Sequence, residues 1–166
     1  MPYQAKTFDW VGLFTSIKAI VEELVGIPCI YENSKDETPP KPFVSYGVLN
    51  DHTSLNYQTN RDNEAFMTTL TFKGRADSMG EAVAIKDDLR TLLQGYHGRD
   101  ELKKNGIILA PNPIQNERSA DSNSIPFMED AVAGFDLVIQ LQRHYQSNYQ
   151  QIKNINIEHR KEDLHG

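Results

Sequence analysis

The sequence predicts an α+β fold with a mixed, mostly antiparallel sheet, long hairpins and two main helices packed on one face of that sheet. The strand prediction depends most on residues 131–145, where apolar side chains alternate with polar ones. The helix prediction depends on residues 7–25 and 78–94, where apolar side chains recur every three or four positions. Both helices have one apolar side, and a half-buried sheet offers the face that such helices cover.

The first helix is predicted over Thr7–Val25. Thr7 can cap its first turn, Asp9 places a negative charge where the helix dipole favours one, and Gly26 follows where a left-handed residue often ends a helix. Its apolar positions are Trp10, Leu13, Phe14, Ile17, Ile20, Val21 and Leu24.

A strand, a loop and a hairpin are predicted next. Residues 27–32 form a short apolar run with β-branched and aromatic side chains, which is typical of a brief strand, and residues 33–42 contain three prolines and indicate a surface loop. Residues 43–49 and 64–75 should pair as an antiparallel hairpin. Its connection, residues 56–63, is almost free of apolar side chains, so we expect the distal hairpin not to pack on the core of its own subunit.

The second helix is predicted to begin after Ser78 and to end at Gln94, before Gly95. Ser78 and Glu81 have the spacing of a capping box, in which each side chain satisfies a free backbone amide of the other residue. The positions expected on its inner side are Met79, Ala82, Val83, Ile85, Leu89, Leu92 and Leu93.

The chain from residue 99 to residue 125 is predicted to contain little regular structure. Residues 99–105 can form one further helical turn, and residues 107–110 a short strand. Pro111 and Pro113 place that strand at an edge or a bulge, because proline cannot donate a ladder hydrogen bond. Residues 116–125 are polar and are predicted to be a loop.

The closing strand is the longest one predicted. From Ala131 to Tyr145 it would span roughly 45–50 Å at about 3.3 Å per residue, whereas a compact domain of this size is about 40 Å wide. We therefore expect this strand to cross the body and to project from it, a shape that suits a subunit made to join copies of itself. Its apolar odd positions are Ala131, Ala133, Phe135, Leu137, Ile139 and Leu141.

Domain organisation follows from length and composition. The 166 residues suffice for one domain, predicted over residues 1–145, followed by a polar C-terminal segment at residues 146–166. That segment contains Ile152, Ile155 and Ile157 and can bury little by itself. Two interpretations remain for it: a frayed end, or an arm that adds an Ile-lined strand to a neighbouring subunit.

Composition argues against several classes of protein. No apolar run approaches the roughly 20 residues that cross a bilayer, and the first residues lack the pattern of a signal peptide, so we expect a cytosolic product. A net charge of −6 argues against a protein that works by neutralising phosphates. Cys29 is alone, which excludes an internal disulfide.

No pattern indicates catalysis, a cofactor or a metal. Cys29 follows Pro28 in an apolar run, where cysteine usually behaves as a small hydrophobic residue. Adjacent carboxylates such as Asp87 and Asp88 usually form a solvated helix face, and no glycine-rich phosphate-binding motif is present. No metal-binding spacing joins the histidines, which are His52, His97, His144, His159 and His165. We therefore predict no catalytic, cofactor-binding or metal-ligating residue.

The order of elements from Phe8 to Tyr145 resembles the tail terminator proteins of long-tailed bacteriophages. Three phrases look like the neck-terminator branch of that group: Val25-Gly26-Ile27-Pro28-Cys29-Ile30-Tyr31-Glu32, Pro42-Phe43-Val44-Ser45-Tyr46 and Gly134-Phe135-Asp136-Leu137. They are patterns of core and turn residues rather than strict motifs. The resemblance implies a structural α+β subunit that forms a hexameric ring on the finished tail tube, stops its growth and joins the tail to the head.

The same resemblance implies partners and a location. The partners would be further copies of the chain, the tail tube protein and a head-completion (stopper) protein, with DNA passing through the channel without sequence recognition and no membrane involved. The protein would be made in the cytoplasm of the host bacterium and located in the virion, at the head–tail junction.

Ring formation requires that one patch of a subunit meets a different patch of the next. The polar hairpin connection and nearby polar stretches can supply such patches, and the predicted interface residues are Asp51, Tyr57, Arg61, Asp62, Arg118, Asp121, Arg143 and Tyr145. A DNA channel favours an acidic or neutral wall, so we expect some acidic residues near the channel or the ring faces, from the set Asp51, Asp62, Glu64, Glu117 and Asp121. Two alternatives stay open: a small metal-dependent α+β enzyme or nuclease, and a peptide-binding module that does not form rings.

Overall fold

The computed structural model describes residues 1–57, 61–121 and 131–147, with the backbone alone at residues 120 and 121. The described residues form an α+β fold, as the sequence predicts. Its elements are α1 (Trp10–Val25), β1 (Cys29–Tyr31), β2 (Phe43–Ser54), β3 (Ala65–Ala76), α2 (Met79–Gln94), α3 (Tyr96–Lys104), β4 (Ile108–Asp121) and β5 (Ala131–Gln142).

The strands form one mixed sheet in the order β1-β2-β3-β5-β4. β1 runs parallel to β2, and the other neighbours are antiparallel. β3 and β5 pair along their whole length, from Ala65 opposite Gln142 to Ala76 opposite Ala131, without a shift in register. The helices pack on one face of the sheet, so the described chain has two layers.

The core lies between the helices and the central strands. Alternate side chains of β3 and β5 point to the helix face, where they meet the apolar sides of α1 and α2. Burying one such side chain stabilises the fold by about 1.5–3 kcal/mol. The central members are Ile17, Val21, Phe66, Leu70, Phe72, Leu89, Leu93, Phe135, Leu137 and Ile139.

β5 is a central strand and not a projecting ribbon, so that prediction is wrong. It ends at Gln142 and lies between β3 and β4. Twelve residues extend to only about 40 Å, which fits within the width of the domain. The odd positions face the core as predicted, but Gly134, Asp136 and Val138 on the opposite face are also buried.

The helix ends confirm most of the predicted caps. α1 begins three residues later than predicted: Asp9 is its N-cap and accepts a hydrogen bond from Gly12 N at 2.9 Å, so Thr7 does not cap the helix. Gly26 ends α1 in the left-handed region at φ 69°. At α2, Ser78 Oγ accepts from Glu81 N at 3.3 Å, as the capping box predicts.

Three predictions between residues 79 and 121 need correction. Leu92, expected on the inner side of α2, is 40 % exposed. The single turn expected at residues 99–105 belongs to the longer helix α3. β4 is an edge strand as predicted, but it continues through residues 116–121, which were expected in a loop. Pairing tolerates the prolines because a register shift between Leu109 and Ile114 leaves them outside the ladder.

The predicted hairpin forms between β2 and β3, but more of it is buried than expected. Phe66 lies opposite Ser54 near the distal end, is fully buried and contacts the rings of Phe8 and Trp10. The prediction that the distal hairpin does not pack on its own core is therefore wrong for β3. The exposed part begins with the connection, where Tyr57 is fully exposed.

We predict that Gly134→Ala destabilises the protein. A Cβ added at Gly134 would lie 2.3 Å from the backbone oxygen of Phe72, so the β3–β5 pair would have to shift. Overpacking of this kind typically costs about 1–3 kcal/mol, which urea unfolding would measure. Gly80→Ala in α2 is the matched control: nothing lies within 4 Å of its added Cβ, and alanine should stabilise the helix by up to about 1 kcal/mol. Equal effects of the two substitutions would contradict the packing described for β5.

Candidate assembly surfaces

A buried ion cluster holds the distal end of the β2–β3 hairpin. Glu64 is 3 % exposed, and its Oε1 lies 2.8 Å from Nε2 of His52 and accepts from Ser54 Oγ at 3.4 Å. The Nε atom of Arg143 lies 3.5 Å from the other carboxylate oxygen of Glu64. This contact is an ion pair without hydrogen-bond geometry, since both atoms lack a hydrogen-bond partner.

Arg143 joins three separate parts of the chain. Its Nη1 donates to Thr7 Oγ1 at 3.0 Å, and its guanidinium lies 5.0 Å from the centre of the Phe66 ring. Its backbone N–H donates to the Glu64 carbonyl at 2.7 Å. A cation over an aromatic face and a paired buried carboxylate together stabilise the position of this side chain. The N-terminal segment, the start of β3 and the chain after β5 are therefore connected here.

The surroundings of Glu64 lower its pKa. Burial alone would raise the pKa, but the hydrogen bond with His52 and the charges of Arg61 and Arg143 outweigh burial, so the pKa lies below its ordinary value of 4.5. Glu64 is thus an internal counter-ion of its own subunit. It does not belong to the acidic residues available for a channel wall.

The hairpin connection is fixed to the end of the chain that follows β5. Asp62 accepts hydrogen bonds from both N and Oγ of Ser147 at 2.8 Å, and Asn63 N donates to Tyr145 O at 2.8 Å. Arg61 Nη1 lies 3.2 Å from His52 Nε2. We call this region, residues 55–57 and 61–63 with Tyr145 and Ser147, the hairpin end.

The predicted interface residues fall into separate regions. The hairpin end and the ion cluster beneath it contain Tyr57, Arg61, Asp62, Arg143 and Tyr145, although Arg143 is buried. Arg118 lies on the sheet face away from the helices. Asp51 is exposed on β2, and the side chain of Asp121 lies outside the part of the chain that the structure describes.

A second polar cluster lies on the sheet face that the helices leave uncovered. Asp136 is 3 % exposed; its Oδ1 accepts from Arg118 Nη2 at 3.1 Å and its Oδ2 from Asn116 Nδ2 at 2.8 Å. Arg118 Nη2 also donates to Thr71 Oγ1 at 2.6 Å. Burial would raise the pKa of Asp136, but the hydrogen bonds from these three residues and the charge of Arg118 lower it.

Further charges extend this uncovered face toward β1. Lys73 Nζ lies 2.7 Å from Glu32 Oε1, and Arg75 Nε donates to Ser45 Oγ at 3.1 Å. With Arg118 and Asp136, the face has three cations and two carboxylates. Except for Arg118, sequence reasoning missed these residues. The sequence could have indicated them, because Lys73 and Arg75 alternate with the buried positions of β3 and must therefore point to the opposite face of the sheet.

Glu117, another of the acidic residues expected near a channel, forms ion pairs with α2. Its carboxylate lies 3.3 Å from Arg90 Nη1 and 3.6 Å from Lys86 Nζ. These pairs fasten the edge strand β4 to a helix of the same subunit. Since the pairs are partly exposed, each contributes only about 0–1 kcal/mol.

A shallow apolar groove lies between α1 and the distal half of β2. It has a volume of about 460 Å³ and is lined by Trp10, Phe14, Val48, Leu49 and Asp51. Leu49 is 61 % exposed. We call this feature the α1–β2 groove. Large apolar side chains open to solvent beside a charged residue are typical of interaction sites.

Few features in the described residues suggest chemistry. Cys29 is fully buried, and burial with the nearby charge of Glu22 raises the pKa of its thiol to about 12, so it is not a thiolate at neutral pH. Within residues 1–57, 61–121 and 131–147, no three His, Cys, Asp or Glu side chains converge as metal ligands. In the same ranges, no helix has the length and apolarity needed to cross a membrane.

A cleft of about 670 Å³ opens between the N-terminal segment, the end of α3 and the end of β5. Lys6, Asp9, Lys103 and His144 are among its lining residues. Its charges have mixed sign. No protein-family model matches this chain, and a comparison with curated proteins found no match either.

We predict that Glu64→Gln removes part of the acid sensitivity of the protein. Because the pKa of Glu64 is lower in the folded chain, the unfolded chain takes up the proton first as the pH falls. The stabilisation is therefore present above the unfolded value of 4.5 and is lost progressively as the pH falls from there through the lower pKa of the folded chain. Urea unfolding from pH 3 to 5.5 should show Glu64→Gln about 1 kcal/mol less stable than the wild type at the upper end, with the difference shrinking at the lower end. The exposed Glu37→Gln is the control, and a constant difference for Glu64→Gln would contradict the role assigned to this carboxylate.

We also predict strong coupling between Arg118 and Asp136. Arg118→Met leaves the buried carboxylate without its counter-ion and should destabilise by roughly 1–3 kcal/mol. This is less than for a fully buried pair, because the Arg118 side chain is 45 % exposed. The double variant Arg118→Met/Asp136→Asn should be more stable than Arg118→Met alone. A double-mutant cycle in urea gives the coupling energy, and purely additive effects would rule out the pair as described.

Proposed function

We propose that this protein is a structural subunit of a long-tailed bacteriophage particle that assembles into a ring, with six copies the expected number, at the head–tail junction. In this role it ends polymerisation of the tail tube and joins the tail to the head. It acts by binding, without catalysis. Its partners are other copies of itself, the tail tube protein below and a head-completion protein above, and DNA passes through the ring without sequence recognition.

The observation that carries the proposal is the hairpin end. The buried cluster of Glu64, His52 and Arg143 fixes its base, while Leu55 and Tyr57 beyond it are 40 % and fully exposed. A surface that is held in place by its own chain and presents apolar side chains to water loses little entropy on docking and gains their burial. Tyrosine is also enriched at the centres of protein interfaces.

The uncovered sheet face supports an assembly role in a second way. Its cations and carboxylates pair with each other, notably Arg118 with Asp136 and Lys73 with Glu32. Such a surface stays soluble in a free subunit and can still form hydrogen bonds with a partner. Two different patches, the hairpin end and this face, also meet the requirement of a ring for unlike contacting surfaces.

Mass measurement by light scattering, with negative-stain imaging, tests the proposal directly. We predict closed rings of the full chain, alone or on co-expression with the products of neighbouring genes. Leu55→Ser/Tyr57→Ser should abolish rings while lowering the free energy of unfolding by no more than about 1 kcal/mol, because Tyr57 is fully exposed and Leu55 is 40 % exposed. Tyr96→Ser is the matched control: Tyr96 is 89 % exposed on α3, away from the hairpin end, and its loss should leave the rings intact.

Two outcomes would count against the proposal. One is a monomer at every concentration that also fails to bind a tube protein encoded next to it. The other is ring formation that is unaffected by the loss of Leu55 and Tyr57, which would remove the observation that carries the proposal.

A further inference from the structure

The distal half of β2 has one backbone edge beyond the reach of β1. β1 pairs with β2 only as far as Tyr46, and the last backbone hydrogen bond between these segments runs from Glu32 N to Tyr46 O at 2.8 Å. β2 continues to Ser54 and pairs with β3 on its other side. In the described ranges, β1 is the strand next to β2 on this side, so the edge beyond Tyr46 has no strand beside it. Its pairing with β3 shifts register between Val48 and Asn50 and again between Asn50 and Thr53. Two of its backbone groups already have partners, because His52 N donates to Asn50 Oδ1 at 3.0 Å and Asp51 O accepts from Thr68 Oγ1 at 2.9 Å.

The α1–β2 groove lies beside this edge. Val48, Leu49 and Asp51 belong to both features, and Trp10 and Phe14 form the opposite wall. Val11, the residue after Trp10 in α1, is also apolar and is 73 % exposed. An extended segment added to β2 would satisfy those edge amides and carbonyls that have no partner within the chain and would place alternate side chains over the groove.

The chain itself contains a segment with the required pattern. Ile155 and Ile157 are two positions apart, and Asn154 and Asn156 alternate with them, so an extended conformation would have one apolar and one polar side. Isoleucine is β-branched and favours strands. In an extended conformation Lys153 would lie on the same side as Ile155 and Ile157, where it can approach Asp51 at the groove.

The direction of the chain favours a neighbouring copy as the acceptor. β5 runs antiparallel to β3, so its C-terminal end lies at the distal end of the hairpin. Tyr145 and Ser147 continue outward along Asn63 and Asp62. A segment that leaves in this direction would have to reverse to reach β2 of its own subunit, whereas a neighbour placed beyond the hairpin end lies in its path.

We propose that residues 152–157 of one copy add as a strand to the open edge of β2 in the next copy, with Ile155 and Ile157 in its α1–β2 groove. The inference rests on the proposed self-assembly and names the contact that links adjacent subunits. In this arrangement each copy would provide both an arm, its C-terminal segment, and the acceptor site for the arm of another copy. Because donor and acceptor surfaces differ, the contact is heterologous and can propagate around a ring.

Cysteine cross-linking between two tagged full-length chains tests this contact. One chain has Leu49→Cys, the other has Ile155→Cys, and the two are mixed under assembly conditions with a short bis-maleimide. We expect a covalent dimer that contains both tags, at a yield at least tenfold above that of Ile108→Cys mixed with Ile155→Cys. Ile108 is a matched control, since it is 53 % exposed and begins β4 at the opposite edge of the sheet. Cys29 is buried in both chains, and the wild type measures its background.

A single chain with both Leu49→Cys and Ile155→Cys, diluted into excess wild type, shows whether the strand on β2 comes from the same chain or from a neighbouring copy. Cross-linking within that chain would overturn the proposal in favour of the subunit's own arm. Amide hydrogen exchange at Val48–Asp51 gives a second readout: full-length Ile155→Asn/Ile157→Asn should exchange there at least tenfold faster than the wild type, and Asn154→Ser/Asn156→Ser should not. Rings with unchanged exchange would overturn this contact alone. A monomer with unchanged exchange would overturn both this contact and the proposed assembly.

Discussion

The rest of the structure depends on the uninterrupted pairing of β3 with β5. Their register continues from Ala65 opposite Gln142 to Ala76 opposite Ala131. Because side chains alternate along each strand, this register assigns one set of residues to the helix face and the other set to the uncovered face. The neighbouring ladders contain shifts, between Val48 and Asn50 in β2 and around the prolines of β4. The sheet thus adapts at its sides while its centre stays regular.

The same pairing brings together charges that are far apart in sequence. Glu64 and Arg143 directly extend the Ala65–Gln142 pair, so their side chains meet at the end of the sheet. Thr71 lies opposite Asp136 within the ladder, which completes the hydrogen bonds to that carboxylate. Each cluster therefore results from strand register, and each in turn opposes a slip of that register, since a slip would bury an unpaired charge.

These facts explain which features the sequence could reveal. Helices, caps and the hairpin depend on neighbours three, four or two positions apart, so Ser78, Gly26 and the alternation of β3 could be recognised locally, whereas the N-cap of α1 was assigned to Thr7 and is Asp9. The burial of Glu64 could not, because it requires His52 from β2 and Arg143 from the chain after β5. The extension of β4 was equally hidden, since Pro111 and Pro113 stop a regular strand but are tolerated at a bulge on an edge. Of the candidate site, the sequence indicated Tyr57 and the polar residues of the hairpin end. It indicated neither Leu55 nor the groove, which exists only once α1 packs beside β2.

The hairpin end and the α1–β2 groove would act differently as contact surfaces in the proposed assembly. The hairpin end is held by contacts within its own subunit, from Asp62 to Ser147 and from Asn63 to Tyr145, so its order does not depend on a neighbour. A preorganised surface loses less entropy on association, and more of the energy of burying Tyr57 remains for affinity. In the proposed arm contact, fixing the backbone of the docking segment would cost about 1–2 kcal/mol per residue, which would weaken binding at the concentration of free subunits. An assembly that combines the two can first position subunits through the rigid contact and then secure them through the ordered strand, because the second contact acts at the high effective concentration that the first one creates.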